Sequence, residues 1–103
     1  MAHVVVLFNL RDGVSIEAYE DWALTRDIPT VRDLPSVHSF RVFAASGLLG
    51  GGESPYDYIE VIEVTDISSL GTDVQSPQMQ QIASQFAEFA ESPLFVVTQE
   101  LEG

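Results

Sequence analysis

The sequence predicts an α+β fold with the element order β-α-β-β-α-β. Three observations carry that expectation. Four short segments are rich in β-branched and aromatic residues, two others place apolar residues three and four apart, and proline, glycine or a capping residue marks nearly every junction. At 103 residues the chain fits one compact domain, 1–103. A domain this small leaves much of its chain surface exposed, so a ligand cavity competes with the core for apolar side chains, and dimerisation is a common remedy.

The first strand is Val4 to Leu10, a continuous apolar run with one polar residue, Asn9, ended by the turn signal Arg11-Asp12-Gly13. Val4, Val6, Phe8 and Leu10 make its more apolar face, and His3, Val5, Leu7 and Asn9 make the other. Ser15 is placed to cap a helix running to about Arg26, with Val14 positioned to staple onto Tyr19. Pro29 is uncomfortable inside a helix, so the helix either kinks there or restarts with Asp27 as cap. Leu34-Pro35 closes the segment, and Val37 to Phe43 is the second strand.

Ala44 to Pro55 holds four of the seven glycines and reads as a long mobile loop, with a flap over a cleft as its functional alternative. Tyr56 to Val64 is the third strand, and Asp66 to Gly71 a short helical turn capped by Asp66. Ser76-Pro77 starts the last helix, whose stripe is Met79, Ile82, Phe86 and Phe89 with Ala83 and Ala90. Ser92-Pro93 stops it, and Leu94 to Glu100 is the fourth strand.

This order is the ferredoxin-like split βαβ, an antiparallel four-stranded sheet with its helices on one face. Val4, Val6, Phe8 or their neighbours, with Ile59, Val61, Phe95 and Val97, offer more apolar strand surface than one face needs. A bare apolar sheet face marks an interface, and the simplest partner is a second copy, giving a homodimer packed sheet against sheet.

Sixteen acidic residues against four basic ones give a formal net charge of -12. Nucleic acid and anionic membranes both call for a basic surface, so neither is expected as a partner. Without cysteine there is no disulfide, thiol nucleophile or thiolate metal site. The N-terminal apolar run lacks a basic flank and a cleavage site and is too short to span a bilayer, so a cytoplasmic location is expected. Two dispersed histidines and scattered acids have no metal-ligand spacing, and the glycines of GLLGGG lack the lysine and strand-to-helix setting of a phosphate loop. No metal and no cofactor is expected.

The whole chain resembles the dimeric α/β-barrel superfamily. There, two such sheets pack into a shared barrel and small molecules bind between each sheet and its own helices. EDWALTRDIPTVRDLPSVHSF resembles the helix-to-strand segment of EthD-like proteins, which carry a histidine, a proline two residues later and then a Leu-Pro pair. Asp27 stands at the histidine's place, with Pro29 and Leu34-Pro35 in register. HVVVLFNLRDGVS and SPQMQQIASQFAEFAESPLFVV resemble stress-responsive barrel domains, where a His-Pro-X-His motif opens the last helix and supplies the acid-base histidine of polyketide cyclases. Here that place reads Ser76-Pro77-Gln78-Met79. Over nearly its full length the chain resembles the RedY-like group of prodigiosin-type pigment pathways, whose members are implicated in making the bipyrrole aldehyde half. The resemblance implies two subunits forming a dimeric α/β barrel, with a small aromatic, pyrrole or polyketide-like ligand in each. It implies cofactor-free acid-base assistance of a cyclisation or condensation. The alternatives are a non-catalytic carrier of a reactive intermediate and a cofactor-free monooxygenase.

Four residues are candidates for the chemistry. Asp27 shares a helix face with Ala23, Leu24 and Val31, where a desolvated carboxyl serves as acid or base near neutrality; its other reading is a helix cap. Tyr58 and Glu60 share a strand face, as phenolic donor and second carboxyl, unless Glu60 pairs with Arg41 or points outward. His38 suits proton transfer by its ordinary pKa, with a purely structural role as the alternative. Tyr19, Trp22, Phe8, Met79 and Phe86 are the expected ligand contacts, although aromatics at such spacing are commonly core.

Overall fold

The computed structural model describes residues 2–102. Its strands are β1 (Ala2–Leu10), β2 (Val37–Ala44), β3 (Tyr58–Val64) and β4 (Ala90–Gln99). Its helices are α1 (Ile16–Trp22), α2 (Ile28–Arg32), α3 (Ile67–Asp73) and α4 (Pro77–Phe89), and a π-helical turn, Ala23–Asp27, joins α1 to α2. The strands form one antiparallel sheet in the order β2-β3-β1-β4. This is the ferredoxin-like α+β topology.

The expected barrel is corrected. The sheet is open: β2 and β4 are its two edges and do not pair with each other. Four strands cannot close around a filled interior, which takes about eight.

The helix starts follow the capping chemistry. Ser15 Oγ accepts from Ala18 N at 3.0 Å, Asp66 Oδ1 from Ser69 N at 2.7 Å, and Ser76 Oγ from Met79 N at 3.2 Å. Three strand starts differ from the sequence expectation, β1 beginning at Ala2 rather than Val4. β3 begins at Tyr58 rather than Tyr56, and β4 at Ala90 rather than Leu94. β4 runs through Ser92-Pro93 because its register with β1 shifts between Leu7 and Asn9, and Ser92 takes a left-handed φ of 45° there. Proline is tolerated in a strand at such an irregularity, where no ladder donor is needed.

β1 lies between β3 and β4 and divides its side chains between the two sheet faces. Val4, Val6 and Phe8 face the helices and are buried. Phe8 is the hub of an aromatic cluster, with ring centroids 5.5 Å from Tyr19, 5.5 Å from Tyr58 and 4.9 Å from Phe86. Phe89 packs on Tyr19 and Trp22 at 5.7 and 5.3 Å. On the other face the register lines up Val61, Val5 and Val96 in one row and Phe43, Ile59, Leu7 and Leu94 in the next. No helix covers these rows, and Leu94 and Phe43 are 48% and 45% exposed. Phe95 and Val97 pair with Val6 and Val4 and so share the helix side.

The glycine-rich loop is tied at its base. Ala45 N donates to Asp57 O at 2.8 Å, and Asp57 N donates to Asn9 Oδ1 at 2.8 Å. Among the described residues, no helix is long and apolar enough to cross a membrane.

Phe8→Ala should destabilise the protein by about 3–5 kcal/mol, because the hub ring leaves a void among rigid neighbours. Leu49→Ala, at a fully exposed loop tip, should leave the urea midpoint unchanged.

Candidate functional site

Between the helix side of the sheet and helices α2, α3 and α4 lies a cavity of about 390 Å³. Val31 and Leu34 line one side, Leu70 and Val74 another, and Met79, Ile82, Ala83 and Phe86 a third. Val4, Phe40, Ile62 and Phe95 form its floor. Its only polar side chains are Gln80 and two carboxyl groups, Asp27 and Glu60. A concave apolar site with a few convergent polar groups is where a small molecule binds.

The backbone around Pro29 aims Asp27 into this space. A proline in mid-helix lacks its N–H donor, and its ring clashes with the carbonyl four residues back. The chain answers by widening just before it: Ile28 N–H donates to Ala23 O, five residues back. One residue is thereby accommodated in an enlarged turn, and such turns recur at functional sites. Thr25 Oγ1 also donates to Asp21 O at 2.7 Å, satisfying a carbonyl beside the widened turn.

The cap reading of Asp27 is overturned. True caps in this chain have extended backbone, with ψ of 144° at Ser15 and 149° at Ser76. Asp27 is helical, at φ -65° and ψ -58°, and its side chain makes no capping bond. The Asp27 residue is only 5% exposed, and burial pushes its carboxyl up from 3.8 to about 7.

Glu60 reaches the cavity from β3. Its cross-strand neighbours are Val6 and Val42, so neither flank offers a counter-charge. The Arg41 pairing is not made: Arg41 lies over the Phe43 ring at 5.7 Å on the opposite face. Glu60 is 4% exposed and accepts a long hydrogen bond, 3.4 Å, from the Tyr19 hydroxyl. Burial raises its carboxyl from 4.5 to about 8, the Asp27 charge adds to the rise, and the Tyr19 bond opposes it. The Tyr19 phenol is pushed up in turn, by burial first and then by the charge of Glu60.

The expected residues therefore divide. Asp27, Glu60, Met79 and Phe86 share the cavity, and Tyr19 touches it through its bond to Glu60. Tyr58 instead lines a neighbouring hollow of about 140 Å³ with Tyr19 and Glu20. Its hydroxyl donates to Glu20 Oε2 at 2.7 Å, and burial followed by that contact raises its phenol. Phe8 and Trp22 stand behind the wall as core, the Trp22 Nε1 donating to Gln85 Oε1 at 2.8 Å. His38 is outside the site. The β2 register shifts between Val37 and Ser39, and the exposed imidazole lies with Nε2 3.0 Å from Thr65 Oγ1. No residue of 45–55 lines the cavity, so the flap reading of that loop is not realised.

Lining residues that sequence reasoning did not assign to a site include Leu70, Val74 and Phe95, together with Gln80. The first two carried a signal, four-residue spacing on one helix face. Phe95 carried none, because only strand pairing decides its face. Among the described residues, no group of three or more histidine, cysteine or acidic side chains could hold a metal ion.

Comparison with known proteins places this arrangement in a family. The model of the family described as REDY-like protein HapK matches residues 2–101. The chain belongs to the HapK family of RedY-like proteins. The crystal structure of HapK from Hahella chejuensis is 30% identical, with a TM-score of 0.80 over 100% of this chain and 95% of that one. An EthD family protein from Bacillus halodurans shares the fold at 17% identity and a TM-score of 0.79, over 98% and 99% of the two chains. A dimeric ferredoxin-like protein from Thermobifida fusca does so at 18% and 0.75, over 94% and 88%. A sequence comparison with curated proteins finds no match.

Both raised carboxyls make stability fall as pH rises. Between their ordinary values of 3.8 and 4.5 and their folded values of about 7 and about 8, the native state holds more protons than the unfolded chain. Urea unfolding should show stability greatest near pH 4, declining to about pH 8 and then level. Asp27→Asn with Glu60→Gln should flatten that decline and stabilise the protein at pH 8, on the order of a few kcal/mol. An unchanged slope in the double variant would contradict the assigned burial.

Proposed function

We propose that this protein binds a small intermediate of prodigiosin-type, bipyrrole pigment biosynthesis and assists its cyclisation or condensation by acid-base chemistry without a cofactor. Membership of the HapK family supports the pathway. The observation that carries the chemistry is the buried, uncapped carboxyl of Asp27 facing an apolar cavity beside Glu60.

Near neutral pH the two groups divide the work. Asp27, with a pKa of about 7, is substantially ionised and takes a proton from the substrate. Glu60, at about 8, is mostly protonated and gives one. The apolar wall excludes the water that would compete with a condensation. Met79 and Phe86 hold the ligand's flat body, and the Tyr19 hydroxyl fixes the Glu60 carboxyl.

We further propose that the working unit is a homodimer. The uncovered rows Val61-Val5-Val96 and Phe43-Ile59-Leu7-Leu94 supply a self-complementary apolar face. Burying it offsets the mutual repulsion of two chains at -12 each. Val61→Glu, at the centre of that face, should convert the dimer to monomer in light scattering.

Purified protein offered the bipyrrole aldehyde precursor should accelerate its conversion without consuming oxygen. Asp27→Asn should lower the rate by about 10²- to 10⁴-fold while the dimer persists. Stoichiometric binding with no acceleration would favour a carrier of the intermediate instead, and oxygen uptake in step with turnover would favour a monooxygenase.

A further inference from the structure

The cavity holds two acids and no base. Neither lysine, arginine nor histidine lines it. The chain's four basic residues are arginines, and all lie elsewhere. Arg11 Nε donates to Ala87 O at 2.9 Å, Arg32 Nε to Phe40 O at 3.0 Å, and Arg41 sits over Phe43 on the far face of the sheet. The other polar groups facing the acids are the Tyr19 hydroxyl and the Gln80 amide, whose Nε2 already donates to Gln75 O at 3.3 Å. The Asp27 side chain makes no capping bond, and the residue is 5% exposed. A carboxyl desolvated on folding with no counter-charge beside it gains when a cation arrives to pair with its ionised form.

From this placement we infer that the cavity takes its ligand as a cation, an apolar and largely planar molecule carrying a protonated nitrogen that Asp27 and Glu60 hold between them. This deepens the proposed function and rests on reading the cavity as the ligand site. Both acids were desolvated when the chain folded, so the arriving cation meets carboxyls already stripped of water. Only its own small charged end must shed its hydration. Two hydrogen-bonding carboxyls suit a nitrogen with two or more N–H donors, whereas an anion of the same shape finds no cationic side chain in the cavity to pair with. A bare metal ion is a poor occupant, because two carboxyls in a hydrocarbon wall fall short of the six or more oxygens a hard cation needs. The net charge of -12 also raises the local concentration of cations around the molecule.

Three probes of one shape test this: 1-naphthylmethylamine, 1-naphthylmethanol and 1-naphthoic acid, each titrated calorimetrically into the intact protein at about pH 6. The amine should bind at least about tenfold more tightly than the alcohol, and the acid more weakly than either. Amine binding should also release close to one proton, read from buffers of different ionisation enthalpy, because a protonated carboxyl must ionise to pair. Alcohol binding should release none. Asp27→Asn and Glu60→Gln, each checked for folding by circular dichroism, should bring the amine down to the alcohol's affinity and leave the alcohol within about threefold. Should either variant fail to fold, the probe ranking and proton release of the unaltered protein decide the matter. Equal binding of amine and alcohol, or preference for the acid, overturns the cation assignment while leaving the cavity as a ligand site. Failure of all three to bind overturns both. Pathway turnover is read separately, so its loss with the amine preference intact would count against the reaction and not against the cation.

Discussion

A proline that cannot donate a hydrogen bond shapes this molecule's most unusual feature. Pro29 interrupts a helix that must nonetheless continue to carry Val31 and Leu34 onto the core. The chain resolves the conflict by widening one turn, with Ile28 bonded to Ala23. A regular α-helix would distribute residues 23 to 31 at a steady 100° or so each. Asp27, four residues after buried Ala23 and four before buried Val31, keeps to the inward face across the widened turn. An acid then lies among hydrocarbon, and the cost of its burial appears as a raised pKa.

The second acid arrives by a different route. Glu60 follows from strand alternation: with Tyr58, Ile62 and Val64 it must share the face that meets the helices. Its neighbours across β1 and β2 are valines, so the sheet itself denies it a counter-charge. Helix irregularity and sheet regularity thus converge two groups of the same sign in one apolar space. Tyr19 mediates between them and the aromatic cluster, with its ring against Phe8 and its hydroxyl on Glu60.

Much of this was legible in the sequence. Element order, three helix caps and the more apolar face of β1 follow from local pattern, because period, capping residues and turn signals are properties of short windows. Asp27 stood out as a carboxyl in an apolar stripe before a proline, although local pattern could not separate a cap from a cavity group. That choice depends on φ and ψ at one residue. Long-range register was beyond reach. The face of Phe95 stayed open because only its pairing with Val6 decides it, and His38 was drawn toward the site because the register shift in β2 is invisible in sequence. Closure into a barrel is likewise a property of strand number and edge pairing, and here the edges stay apart.

The widened turn has a consequence for how such a site can diversify. Its widened backbone bond runs from Ile28 N–H to Ala23 O, and the Thr25 hydroxyl donates to Asp21 O beside it, with no bond from the side chain at 27 among those described. Position 27 is therefore structurally uncommitted: the fold delivers whatever side chain stands there to the same spot. In its sequence this segment resembles that of EthD-like proteins, a resemblance that would put a histidine at this place, with Pro29 in register. An imidazole and a carboxyl are interchangeable in such a socket as far as the helix is concerned, and they differ only in the charge they bring to the cavity. A scaffold of this kind can exchange one reactive group for another by a single substitution, with the proline as the part that must stay.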